Sequence, residues 1–150
     1  MGVMVLFMGI QASGKTSFYQ KYLGEYEHIS LDILKTRNKE KNAIQECLAK
    51  GRDFVVDNTN PCRADRQRYF DMVKGMDYQV VGYYFRSSIS ESIERNEKRS
   101  GKQYVPQCAI AATFNKLELP SPEEGFTTLY YVQIEGEDFV VKEWKTEEDI

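Results

Sequence analysis

GIQASGKT occupies residues 9–16 and fits the phosphate-binding loop pattern G-x-x-x-x-G-K-[ST] at every specified position. The apolar run at residues 3–8 predicts a buried strand before this loop, and residues 16–23 predict a helix after it that ends near Gly24. A chance glycine turn before a helix would explain neither the strand in front nor the lysine–threonine pair behind. We therefore predict that this chain binds a nucleoside triphosphate.

Each residue of the loop has an expected role in binding ATP and Mg²⁺. Gly9 and Gly14 let the backbone turn so that successive N–H groups, and the positive end of the helix, face a polyphosphate. Lys15 is expected to reach the β- and γ-phosphates, and the Thr16 hydroxyl is expected to ligate Mg²⁺. The predicted nucleotide-binding residues of the loop are Gly9, Ala12, Ser13, Gly14, Lys15, Thr16 and Ser17.

Length and composition indicate a single globular domain over residues 1–150. The chain is 41% hydrophobic and 29% charged, which excludes disorder as the default. No apolar run approaches the ~20 residues that a bilayer span needs. Because the N-terminus opens directly into the first predicted strand, we expect no signal peptide.

Cysteine and histidine usage exclude several kinds of site. Cys47, Cys62 and Cys108 are widely spaced and form no C-x-x-C pair, which favours free thiols and a cytoplasmic location. His28 is the only histidine of the chain, so metal sites built from several histidines and histidine general-base schemes are not expected.

Charge is unevenly distributed along the chain. Residues 1–120 carry 18 Lys and Arg against 14 Asp and Glu, whereas residues 121–150 carry 2 against 9. The mildly basic first part could hold a site for anions, while a net charge of −3 argues against a broad nucleic-acid track. We interpret residues 121–150 as an acidic C-terminal appendage.

Strand and helix patterns alternate along the chain. Strands are predicted at residues 28–31, 54–56 and 79–85, and helices at residues 39–50, 63–74, 90–98 and 106–117. Residues 127–134 and 138–144 predict a β-hairpin. The expected fold is therefore α/β: a three-layer P-loop NTPase fold with a mostly parallel sheet, a short arginine-bearing lid and a C-terminal β-hairpin. Ligands of such a sheet bind at the carboxyl ends of its strands.

Two carboxylates are predicted at that edge of the sheet. Asp32 follows the second predicted strand, where it can accept the proton of an incoming hydroxyl or orient it. Its alternative role is to cap the next helix. Asp57 follows the third predicted strand and resembles the Walker B carboxylate that holds Mg²⁺ or its waters. Its alternative is an Asx-turn before Pro61.

A basic segment follows the fourth predicted strand. Residues 95–102 carry four cations, Arg95, Lys98, Arg99 and Lys102, and one anion, Glu97. At this position a closing lid would direct arginines at the polyphosphate. The alternative is a solvated basic face of a helix.

Several of these segments together resemble the kinase domain of the polynucleotide 5′-hydroxyl kinases. They are residues 9–16, residues 29–32 (ISLD), residues 55–61 (VVDNTNP) with Arg66 and Tyr69, and residues 95–99 (RNEKR) followed by Val105 and Pro106. Residues 120–126 (PSPEEGF) also resemble the segment that ends the kinase core in the eukaryotic end-healing enzymes. The resemblance covers about residues 3–132, with the segments in the same order.

This resemblance implies a role for each matching residue. Lys15 and Thr16 would bind ATP and Mg²⁺, Asp32 would be the general base, and Arg99 would stabilise charge in the transition state. Arg95 would be the second lid arginine. The implied catalytic residues are Lys15, Asp32 and Arg99, the implied acceptor-binding residues are Asp32, Lys35, Asp57 and Thr59, and the implied metal ligands are Thr16 and Asp57.

Two departures from the family pattern are visible. Many members have an arginine three residues after the base, and this chain has Lys35, which keeps the charge but lacks the bidentate fork. No phosphatase segment is present within the 150 residues, so a kinase step alone is expected from this chain.

The sequence therefore predicts an ATP-dependent kinase that acts on a hydroxyl group, with the 5′-OH of a nucleic-acid end as the preferred acceptor. A second hypothesis is a small-molecule kinase that acts on a nucleoside, sugar or antibiotic hydroxyl. A third is an ATP-binding regulatory module without efficient turnover, which would need neither Asp32 nor the arginines of the lid.

Overall fold

Helices and strands alternate in the computed structural model, which describes residues 2–99, 101 and 104–145. The strands are β1 (Gly2–Met8), β2 (Glu27–Ile29), β3 (Phe54–Val56), β4 (Tyr78–Phe85), β5 (Thr128–Glu135) and β6 (Asp138–Glu143). The helices are α1 (Lys15–Tyr22), α2 (Leu31–Leu34), α3 (Arg37–Lys50), α4 (Arg63–Val73), α5 (Ile89–Glu97) and α6 (Gln107–Lys116), with a 3₁₀ helix at Pro122–Glu124. Within the described residues, no helix combines the length and apolar character that crossing a membrane requires.

Within the part of the chain that the structure describes, six strands form one sheet in the order β2-β3-β1-β4-β5-β6. β1 pairs in parallel with β3 and β4, and β5 pairs in parallel with β4. β6 pairs antiparallel with β5 at the edge of the sheet. The predicted mostly parallel α/β sheet with a C-terminal hairpin is confirmed, and residues 128–143 belong to that sheet.

The two faces of β1 pack against different helices. Met4 and Leu6 belong to a buried cluster with residues of α3 and α4, including Ile44 and Tyr69. The alternate residues Val5 and Phe7 belong to a second cluster that includes Phe18 of α1. Successive side chains of a strand point to opposite faces, so a strand covered on both sides reads as the continuous apolar run seen at residues 3–8.

The second strand is shorter than the sequence predicts. It ends at Ile29, and Asp32 lies inside α2 instead of directly after a strand. The carbonyl of Ser30 accepts from the N–H groups of Ile33 (3.2 Å) and Leu34 (2.9 Å), so the chain turns into a helix at that point. An alternating apolar pattern over four residues does not reveal this local hydrogen bonding.

A buried ion pair joins α4 to the segment that precedes β5. Arg66 is fully buried, and its guanidinium donates to both carboxylate oxygens of Glu124, at 2.8 and 3.0 Å. Arg66 also donates to the carbonyl of Asn60 (3.0 Å), and Glu124 accepts from the N–H of Ser121 (3.0 Å). Through these hydrogen bonds, the pair connects the loop after β3 to the 3₁₀ helix.

Removing Arg66 should strongly destabilise the fold. Arg66→Ala leaves the Glu124 carboxylate without its partner, and breaking one side of a buried pair costs about 3–5 kcal/mol. The measurement is the free energy of unfolding from urea denaturation. The control is Lys50→Ala, which breaks the exposed Lys50–Glu46 pair and should leave the midpoint nearly unchanged. Equal midpoints for the two variants would contradict the structural role of Arg66.

Candidate active site

The phosphate-binding loop connects β1 to α1 through an unusual backbone. Gly14 precedes α1 with φ 99°, and Ala12 has φ 58°, both in the left-handed region. A Cβ on Gly14 would lie 2.9 Å from Cδ1 of Ile134, so β5 packs directly against the loop. No side chain caps the start of α1, which leaves the N–H groups of its first turn available to an anion.

Lys15 is buried and folds back over the loop. Its ammonium donates to the carbonyls of Gly9 (3.0 Å) and Ile10 (2.7 Å) and lies 3.4 Å from the Ser13 hydroxyl. Burial lowers the pKa of Lys15 to about 8. The negative charge of Asp57 opposes this shift, the positive charge of Arg99 adds to it, and Asp32 opposes it. Three predicted site residues therefore lie within electrostatic range of the loop lysine.

Asp57 faces the loop from the end of β3. Its Oδ2 accepts from the Thr16 hydroxyl at 2.7 Å, and it lies 2.8 Å from Nε2 of His28. This orientation is not the Asx-turn that the sequence left open. Among the described residues, no cluster of three or more His, Cys, Asp or Glu side chains could hold a metal by itself.

The oxygens of Thr16 and Asp57 fit Mg²⁺. Both are hard donors, and Mg²⁺ is usually held by one or two such groups together with substrate phosphates and waters. The predicted ligand pair therefore lies together beside the phosphate-binding loop.

The predicted lid arginines face the loop. Arg95, in α5, donates to the carbonyl of Ala12 at 3.0 Å. Arg95 and Arg99 line a cavity of about 310 Å³ together with Ala12, Gly14 and Ser17. Asn96 pairs with the backbone of Val105 through both its donor and its acceptor atoms, which joins α5 to that residue. Lys102 lies outside the described residues.

The other wall of this cavity is the turn between β5 and β6. The lining residues of this part of the hairpin are Ile134 of β5, Gly136 and Glu137 of the turn, and Phe139 of β6. Asp138 anchors the turn to α1, since it accepts from Lys21 (2.8 Å) and Tyr22 (3.0 Å). Phe139 also makes an edge contact with Phe18 at 5.2 Å between ring centroids. No local sequence pattern predicts this wall, because the hairpin and the loop are more than 100 residues apart.

Asp32 is exposed in the first turn of α2. The N-cap of α2 is Ser30 and that of α3 is Thr36, so the alternative that Asp32 caps a helix is not observed. Within the described part of the chain, the Asp32 carboxylate makes no side-chain hydrogen bond. It is therefore open to an incoming hydroxyl.

A buried network fixes the start of α2 relative to the loop after β3. Asn58 Oδ1 accepts from the N–H of Leu31 (3.0 Å), and Asn58 Nδ2 donates to the buried carboxylate of Glu40 (2.7 Å). Tyr69 donates to the same Glu40 oxygen at 2.9 Å. Burial is the main cause that raises the pKa of Tyr69 to about 12, so its hydroxyl remains a donor. The sequence does not single out Glu40, because acidic residues are common in the first turn of a helix and usually have no further role.

The two remaining predicted acceptor residues have different surroundings. The carbonyl of Thr59 accepts from the N–H of Gly9 at 3.0 Å, so its backbone supports the phosphate-binding loop. Lys35 ends α2 with φ 74° and an exposed side chain. Both remain predictions as acceptor-binding residues.

Comparisons with known proteins agree with this geometry. The AAA domain family matches residues 4–120. A bifunctional polynucleotide phosphatase/kinase of Schizosaccharomyces pombe is 28% identical over 131 residues, which are 84% of this chain and 32% of that protein. The chain therefore spans about a third of that relative's length.

Two solved structures share the fold. A gluconokinase from Sinorhizobium meliloti 1021 superposes with a TM-score of 0.60 at 22% identity, over 85% of this chain and 81% of that one. Kti12 from Chaetomium thermophilum, in complex with ADP-AlF3, gives a TM-score of 0.66 at 18% identity, over 87% of this chain and 88% of that one. The arrangement of elements around the loop is thus shared with both proteins.

Nucleotide binding should take up protons at mildly alkaline pH. With a pKa of about 8, Lys15 is partly deprotonated in the free protein at pH 8, and phosphates beside it would favour the charged form. We expect an uptake of about half a proton at pH 8, more at pH 9 and little at pH 7. Titration calorimetry with ADP in buffers of different ionisation enthalpy measures this uptake. Identical heats in all buffers at pH 9 would contradict the role given to Lys15.

Proposed function

We propose that this chain, which belongs to the AAA domain family, is a single polynucleotide kinase-like domain that transfers the γ-phosphoryl group of ATP to a hydroxyl acceptor. The preferred acceptor is the 5′-OH of a nucleic-acid end. Its three free cysteines favour a reducing compartment, and we propose the cytoplasm.

The observation that carries this proposal is the convergence of opposite charges on one loop. Lys15 lies within electrostatic range of Asp57, Arg99 and Asp32, although these residues come from four different segments of the chain. A protein that only binds nucleotide needs the lysine and a metal-holding carboxylate. It has no use for a second, exposed carboxylate near the γ-phosphate position, whereas a kinase uses such a group to activate its acceptor.

The proposed reaction follows from these positions. The loop N–H groups and Lys15 hold the β- and γ-phosphates, while Arg95 and Arg99 approach them from the other side of the cavity. Mg²⁺, held by Thr16 and Asp57, would neutralise charge on the phosphates. The acceptor oxygen forms a bond to the γ-phosphorus as the bond from that phosphorus to the β,γ-bridging oxygen breaks and ADP leaves. The proton of the acceptor hydroxyl passes to the carboxylate of Asp32.

Two observations bear on the acceptor. The relative from Schizosaccharomyces pombe is named as a polynucleotide phosphatase/kinase, which supports a nucleic-acid end. Lys35 extends from the end of α2, three residues beyond Asp32, where it can meet a phosphate of the acceptor strand. A small hydroxyl metabolite is the second candidate, because Lys35 lacks the bidentate guanidinium that grips a phosphate firmly.

A phosphate-transfer screen tests this proposal. Labelled ATP is offered with 5′-OH DNA, 5′-OH RNA and pooled small metabolites, and we expect transfer to a 5′-OH oligonucleotide. Asp32→Asn should lower the rate of transfer by about 10²–10⁴-fold, since the amide cannot accept the proton. The affinity for ADP, measured by calorimetry, should remain unchanged. Transfer by this variant at the wild-type rate would exclude Asp32 as the base.

Charge reversal at Lys35 separates the two acceptors. If the first phosphate of a strand binds near Lys35, Lys35→Glu should raise the Michaelis constant for a 5′-OH oligonucleotide and leave that for ATP nearly unchanged. Added salt should weaken the binding of the oligonucleotide only modestly, because the protein contacts few of its phosphates. Lys50→Glu makes the same charge change at the far end of α3, about 20 Å along that helix, and is the control. Equal Michaelis constants of both variants for the oligonucleotide would exclude Lys35 as an acceptor-binding residue, whereas inactivity on oligonucleotides with activity on a neutral metabolite would favour the small acceptor.

A further inference from the structure

We propose that His28 is a positioning residue, which holds the Asp57 carboxylate in the orientation that receives Mg²⁺ with the nucleotide. This inference rests on the proposed function, because it concerns the metal of the same site. The sequence predicts no functional role for His28, since a single histidine cannot form a metal site built from several histidines. The structure gives it a different role, in which it binds the carboxylate and not the metal.

The contact between His28 and Asp57 is direct and largely shielded from solvent. Nε2 of His28 lies 2.8 Å from Oδ2 of Asp57, and the two side chains are 18% and 4% exposed. An ionised carboxylate only accepts hydrogen bonds, so Nε2 is the donor. Nε2 carries a proton in the cationic imidazole and in one of its neutral tautomers, so this contact does not require His28 to be charged.

Tyr19 holds the imidazole in place. The two rings are stacked with centroids 4.2 Å apart and planes inclined by 17°. The Tyr19 hydroxyl donates to the carbonyl of Tyr26 at 2.6 Å, which fixes the tyrosine in turn. Tyr19 belongs to α1, the helix that begins with Lys15, so the imidazole of His28 lies between this helix and Asp57.

The two donors to Asp57 meet on the same oxygen. Thr16 and His28 both donate to Oδ2, from α1 on one side and β2 on the other. Together they define the rotation of the carboxylate, and within the described residues Oδ1 takes no hydrogen bond. With Thr16 alone, the carboxylate could rotate about that single contact. Partners of a metal-holding group that fix its orientation typically contribute 10–100-fold in metal affinity.

Three substitutions separate this role from simple packing. His28→Gln retains an N–H donor without the ring, His28→Leu is similar in size without a donor, and His28→Phe retains a ring without a donor. Calorimetry gives the dissociation constant of ADP with and without Mg²⁺ for each variant. The dissociation constant without Mg²⁺ divided by that with Mg²⁺ reports how strongly the metal contributes to binding. Measuring this ratio needs no catalytic turnover.

We expect the ratio to fall by about 10-fold or more in His28→Leu and His28→Phe and to be largely restored in His28→Gln. The affinity for ADP without Mg²⁺ should change little in any variant. Equal losses with and without Mg²⁺, or equal losses in Gln and Leu, would overturn the proposal and leave a packing role. A wild-type ratio close to one would overturn it as well.

Failure of the proposed function would look different. A wild-type protein that binds ADP more tightly with Mg²⁺, with the expected order of variants, but phosphorylates no acceptor in the screen would disprove the kinase assignment alone. Should one of the donor-free variants unfold, the other still forms a valid comparison with His28→Gln. Thermal unfolding midpoints of all variants establish which comparison applies.

Discussion

The buried ammonium of Lys15 is the constraint around which the site is organised. It donates only to oxygens of its own loop, and burial opposes its charged form strongly enough to bring its pKa to about 8. A polyphosphate restores the favourable environment that water would otherwise provide. In the proposed function, the loop curvature at Ala12 and Gly14, the uncapped start of α1 and the arginines of α5 and its C-terminal flank would all face the same anion.

Carboxylates around this charge are held by separate buried networks. Asp57 accepts hydrogen bonds from the side chains of Thr16 and His28. Asn58 connects the carboxylate of Glu40 to the start of α2, the helix that contains Asp32. The carbonyl of Asn60 accepts from Arg66, whose guanidinium also donates to both carboxylate oxygens of Glu124. Consecutive residues of the D-N-T-N-P segment therefore make different contacts. Each of residues 57–60 forms a hydrogen bond with an element that is distant in sequence. Such satisfied polar networks define one geometry, because a partly satisfied network would be costly.

The C-terminal segment shows how composition can hide a role. Nine acidic residues against two basic ones made residues 121–150 look separate from the basic remainder. In the fold, β5 is a parallel neighbour of β4, and the turn at Gly136 and Glu137 forms one wall of the cavity at the loop. Net charge describes what solvent encounters, whereas strand pairing depends on backbone hydrogen bonds and on burial on both faces of the sheet, where Leu129 and Val132 belong to different buried clusters.

Local chemistry and periodicity determined much of this protein from the sequence. The loop motif needs particular residues at fixed spacing, and the doubly buried β1 must be a continuous apolar run, so both were recognisable, as was the parallel α/β order. The end of β2 at Ile29, the place of Asp32 in α2 and the contacts of His28 and Glu40 were decided only in three dimensions. The turn into α2 combines local hydrogen bonds to the carbonyl of Ser30 with the long-range bond from the N–H of Leu31 to Asn58, and the contacts of His28 and Glu40 join segments whose relative position no local pattern encodes.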